Sequence, residues 1–132
     1  LDLIVLDYDD GSFSGRLHDL ALKSEEILGA MFFWSSTGFL NQLRVFSGNQ
    51  RIAVILMADR PLLQDLFRLK ELFEDVSLFL VLSDHLPETL SAAHRLHPRF
   101  LTFTDEGCDD LFGVLENFIE QRTSGSLKGG IS

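Results

Sequence analysis

The chain has 132 residues, 45% of them hydrophobic and 23% charged, so it can bury one core of ordinary domain size and is not compositionally disordered. Twenty acidic residues against eleven basic ones give a formal charge of −9, and the basic residues are scattered along the sequence. Nucleic-acid affinity rests on clustered Lys and Arg, so direct binding to a phosphate backbone is not expected.

The first strand is expected over 3–6, running into the acidic group Asp7, Asp9 and Asp10. A turn-rich GSFSG follows, then a short helix through Leu17, Leu20 and Ala21. An alternative pairs the first strand with a strand over 12–20, as a hairpin turning at Asp10-Gly11, a dipeptide suited to such turns. The apolar run 27–34 reads as a second strand and 39–46 as a second helix.

The remaining two-thirds is clearer. Residues 52–57 (IAVILM) and 76–82 (VSLFLVL) are continuous apolar runs, as parallel strands covered on both faces should be. Between them, Pro61 suits a helix start, and Leu62, Leu66, Leu69 and Phe73 recur at helical spacing. A helix is expected over 87–97, stopped by Pro98, and a short strand over 100–104. Asp109 or Asp110 is a candidate N-cap for a last helix to about Arg122, with Leu111, Val114, Leu115 and Phe118 facing inward. The Gly/Ser-rich 123–132 reads as a flexible tail or linker after a single domain over 1–122.

Five strands alternating with five helices imply an α/β fold: a three-layer, open parallel sheet of the flavodoxin-like type. Both long apolar runs fall short of the roughly 20 residues of a membrane-spanning helix, so no membrane partner is expected. LDLIVLDYDD has no basic residue before its apolar stretch and is not read as a signal peptide. The single Cys108 precludes an intrachain disulfide and suits the cytoplasm; its acidic neighbours make it a poor nucleophile.

In open parallel sheets ligands gather at the carboxyl ends of the strands. The residues arriving there include the early aspartates, Ser35 to Gly38, Met57 to Arg60, Ser83 with Asp84, and Thr104 with Asp105. Asp9, Asp10 and Asp59 could together hold a Mg²⁺ ion, which favours hard oxygen ligands, although strand-end aspartates also serve as turn and cap residues.

The order of elements, the acidic end of the first strand and the serine after the fourth make nearly the whole chain resemble the receiver domain of two-component response regulators. The resemblance implies strand order 2-1-3-4-5 and an acidic pair, matched by Asp7 with Asp9 or Asp10. The family's phosphorylated aspartate stands four residues before a proline; counted from Pro61, that place holds Met57, with Asp59 two residues on. Ser83 matches the family's Ser/Thr, and Phe103 replaces the lysine that contacts the phosphoryl group. Phospho-aspartate switching is therefore expected to be lost. The expectation is a non-enzymatic signalling module with no obligatory cofactor. It would act through a protein partner or homodimer on the face of the fourth helix, fifth strand and fifth helix, from Leu86 to Gln121. A receiver that still uses Asp59 is the closer alternative.

A more distant alternative is a flavin- or nucleotide-binding protein. The segment FFWSSTGFLN is similar to the phosphate loop of flavodoxins, with Ser35, Ser36, Thr37 and Gly38 as candidate anion ligands, though it also reads as a capped helix start. His94 and His97 read as a solvated helix face rather than a metal pair. Phe32, Phe33 and Trp34 read as core or strand-edge packing.

Overall fold

Side chains alternate across a strand, so a strand apolar at every position needs cover on both faces. The computed structural model, which describes residues 1–8, 12–45, 48, 50–106 and 109–131 (the backbone alone for Ser12 and 122–131), supplies that cover. Its elements run β1 (Asp2–Asp7), α1 (Ser12–Lys23), β2 (Gly29–Phe33), α2 (Ser36–Arg44), β3 (Arg51–Ala58), α3 (Arg60–Phe67), a 3-10 turn (Lys70–Phe73), β4 (Val76–Leu82), α4 (Pro87–His94), β5 (Phe100–Phe103) and α5 (Asp109–Ile131). All four strand pairings are parallel, in the order β2-β1-β3-β4-β5. This is a three-layer flavodoxin-like α/β fold.

Strand parity divides the core in two. Ile4, Leu6, Ala53, Ile55, Leu78, Leu80 and Leu82 pack against Phe39 and Leu43 of α2, Leu63 and Leu66 of α3, and Ala92 and Ala93 of α4. The alternate residues Leu3, Val5, Ile52, Val54, Leu56, Phe79 and Val81 pack against Phe13 and Leu17 of α1 and Leu111, Leu115 and Ile119 of α5. Each of these Val, Leu, Ile or Phe side chains contributes about 1.5–3 kcal/mol of transfer free energy, the alanines less. The interior of the sheet therefore holds the fold, while the edge strand β2 is mostly exposed.

Several sequence expectations are corrected. The hairpin alternative fails because 12–23 is helical and both sides of β1 are taken by parallel neighbours; helical spacing lets Phe13 and Leu17 bury together. The helix expected through Phe73 breaks after Phe67 into the 3-10 turn, which delivers Phe73 beside Phe39 (ring centroids 6.4 Å) just before β4 begins at Val76. α4 ends at His94, and His97 beyond it is left-handed (φ 52°), so the two histidines do not share a helix face. Asp109 and Asp110 lie inside the first turn of α5, where they favour the helix dipole instead of capping it. α5 continues to Ile131, past the expected end near Arg122, in a stretch without a proline to stop it. Trp34 is 71% exposed rather than packed, whereas Phe32 stacks on His18 at 3.8 Å. The Asp10-Gly11 turn and Cys108 lie outside the described residues.

Candidate functional site

The carboxyl edge of the sheet is set by the ladder. Asp7 lies opposite Leu56, Ala58 opposite Leu82, and Leu82 opposite Phe103. The ends of β1, β3, β4 and β5 thus line up, with Ser83 immediately following. Asp7 is 3% exposed and its Oδ2 accepts a 2.5 Å hydrogen bond from the Ser14 hydroxyl of α1. Its intended companions Asp9 and Asp10 lie outside the described residues.

β3 is irregular at the position that matters most. Between the pairs Ile55–Leu80 and Ala58–Leu82, β3 spends three steps where β4 spends two, so one residue is extra. Side-chain parity flips there. Ala58 follows Ala53 and Ile55 into the core, while Met57 is turned outward with φ 61°, a left-handed conformation uncommon for a residue with a side chain. The bulge shifts the chain by one position, half of the two-residue displacement between Met57 and Asp59.

Asp59 has a local task. It is the N-cap of α3, with extended backbone (φ −107°, ψ 173°), and its Oδ1 accepts from the Leu62 N–H at 3.0 Å. Its own carbonyl accepts from the Leu63 N–H, and Pro61 between them has no N–H to satisfy. Ser83 is likewise engaged: its hydroxyl and its backbone N–H both donate to the Ala58 carbonyl, at 3.2 and 2.9 Å. That pair of hydrogen bonds closes the edge just where the bulge ends.

Phe103, at the end of β5, is covered by His85, whose imidazole stacks on the phenyl ring at 3.8 Å and 18°. The His85 Nε2 reaches both carboxylate oxygens of Asp105, at 2.8 and 3.0 Å. Nothing in local spacing foretells this His–Phe–Asp stack, because it joins the loops after β4 and β5. Beside it, Asp84 accepts from the Leu86 N–H at 2.9 Å at the entry to α4. The adjacent Thr89 hydroxyl and that N–H, with smaller electrostatic contributions from the neighbouring His85 and Arg60, hold the Asp84 carboxyl below its ordinary value against the opposing effect of desolvation. Among the described residues, the buried Thr89 hydroxyl finds no hydrogen bond of good geometry.

On β2's side, Ser35 caps α2 by accepting from the Gly38 N–H at 3.3 Å, and Ser36 and Thr37 form its first turn. A Cβ at Gly38 would lie 3.0 Å from the Phe33 ring, so glycine lets strand and helix approach closely there without the ring shifting. Among the described residues no three His, Cys, Asp or Glu side chains converge to hold a metal ion. Of the proposed Mg²⁺ ligands, Asp59 has one oxygen on its helix cap, and Asp9 and Asp10 lie outside the described residues. Among the described residues, no helix is long and apolar enough to cross a membrane.

Comparison with known proteins decides no family. No family model, curated protein or solved structure matches the chain.

Proposed function

We propose that this chain is a receiver-like interaction module in which phospho-aspartate switching has been lost and the fold is retained for contacts. The observation that carries the reading is the occupant of the lysine's place: Phe103, capped by His85, which Asp105 in turn engages. An ammonium group that neutralises a phosphoryl charge is replaced there by an aromatic surface. The acceptor's place is equally unsuited to phosphoryl chemistry. Met57 lacks a carboxylate, Ala58 is fully buried, and Asp59 is held as a helix cap. The engaged hydroxyl of Ser83 completes an edge that is bonded to itself.

In this reading the chain has no catalytic role and no obligatory cofactor, and it works in the cytoplasm without contacting nucleic acid or membrane. Its partner is a protein or a second copy, meeting the surface of α4, β5 and α5. Leu86 at the entry to α4 and Val114 of α5, expected to face inward but exposed, are 56% and 36% accessible and offer apolar contact area on these elements.

Intact-mass spectrometry with and without acetyl phosphate and Mg²⁺, run alongside light scattering, tests the proposal. The expected result is no added phosphoryl mass and an oligomeric state indifferent to the donor. A phosphoryl addition that disappears in Asp59→Asn would establish a working receiver and overturn the reading.

A further inference from the structure

The basic residues, scattered in sequence, are partly gathered by the fold. A groove of about 840 Å³ runs between the end of α3, the 3-10 turn and the end of α4, at the end of the sheet opposite Asp7 and Ser83. Its floor is apolar, made of Phe67, Phe73, Val76 and Leu96. Lys70 and Arg95, from separate elements, both approach one ring: the Lys70 Nζ is 5.0 Å and the Arg95 Cζ 5.8 Å from the Phe67 centroid. Neither makes an ion pair among the described residues. His94 and His97 line the same groove, and Glu74 is its one acidic lining residue.

Two cations brought to one aromatic ring from separate elements repel each other, and cation–π attraction offsets only part of that. The α4 carboxyl end favours Arg95 through its dipole, but Lys70 belongs to another element. In a chain of net charge −9 this is a local inversion of sign, set on an apolar floor of a volume typical of binding clefts. Asp65 on α3, Glu71 in the 3-10 turn and Asp75 just before β4 are acidic residues beside the groove that do not line it, so the positive charge is local to the groove.

We propose that this groove docks an acidic segment of a partner protein. Carboxylates of the segment pair with Lys70 and Arg95, and an apolar side chain between them rests on Phe67 and Leu96. The inference adds a partner's chemistry to the interaction-module reading and rests on it only in expecting a protein partner. The phosphodonor experiment does not involve this groove, so the two can fail separately.

The test is fluorescence anisotropy of a labelled peptide of alternating Glu and Leu, with a Gln/Leu peptide of the same length as control. The Glu/Leu peptide should bind, weaken with added salt, and lose about tenfold in affinity to the Lys70→Glu, Arg95→Glu double variant. Arg44→Glu, on α2, should leave binding unchanged. If the double variant does not fold, amide shift changes in the wild-type protein on adding the Glu/Leu peptide must centre on Phe67, Lys70 and Arg95. Absence of binding, equal binding of the Gln/Leu peptide, or shift changes centred elsewhere would overturn the proposal.

Discussion

Replacing Asp59 by alanine and by asparagine separates a structural carboxylate from a chemical one. In the wild-type protein the Asp59 Oδ1 satisfies the Leu62 N–H at 3.0 Å, its carbonyl takes the Leu63 N–H, and Pro61 has no donor. Alanine leaves one donor of the first turn without a protein partner and removes a negative charge from the helix start. Cap loss costs about 1 kcal/mol and the lost charge about 0.3–1 kcal/mol, so Asp59→Ala should destabilise by about 1–2 kcal/mol. Asparagine keeps the acceptor and forfeits only the charge, so Asp59→Asn should lose only the charge contribution, about 0.3–1 kcal/mol. For a chain of this size 1 kcal/mol moves the melting temperature by about 4 °C. Urea titration of the three proteins, followed by circular dichroism, reads the difference. Equal losses for both variants would show that the carboxylate's charge, rather than its cap bond, is what the fold uses; no loss for either would refute the cap.

Two further perturbations test the same edge. Met57 sits in a left-handed conformation, so Met57→Val should destabilise by about 1 kcal/mol or more while Met57→Asn should match or exceed wild type; a valine variant as stable as methionine would rule out the left-handed bulge. Asp84 has a lowered pKa, so its contribution is complete above its ordinary value of 3.8 and is lost as pH falls through the depressed one. Melting temperature against pH should therefore fall less steeply below about pH 4 in Asp84→Asn than in wild type, and parallel curves would contradict the assignment.

Much of the architecture is legible in the residue order. The unbroken runs of 52–57 and 76–82 demand cover on both faces, and the βα rhythm between them leaves a parallel sheet with crossover helices as the economical solution. Pro61 and Pro87 open α3 and α4 through a constraint local to the chain, so those starts can be read without a fold, whereas α4 ends at His94, before the stop expected from Pro98. The first third is harder, since Asp-Gly chemistry suits a hairpin and only the burial of Phe13 and Leu17 against two strands makes 12–23 a helix.

The site depended on contacts between residues far apart in sequence. Composition already determined that Phe103, not lysine, closes β5, and that no aspartate stands four residues before Pro61. That β3 carries an extra residue, which turns Met57 outward and moves Asp59 by one position and not two, follows from its pairing with β4. The stack of His85 on Phe103 needs β4 and β5 to be neighbours, and the pairing of Lys70 with Arg95 over Phe67 needs α3 and α4 to pack side by side. Local periodicity and backbone constraints are written along the chain and survive reading in one dimension. Register, side-chain stacking and the gathering of scattered charge are properties of the assembled sheet and its covering helices, and they exist only once the chain has folded.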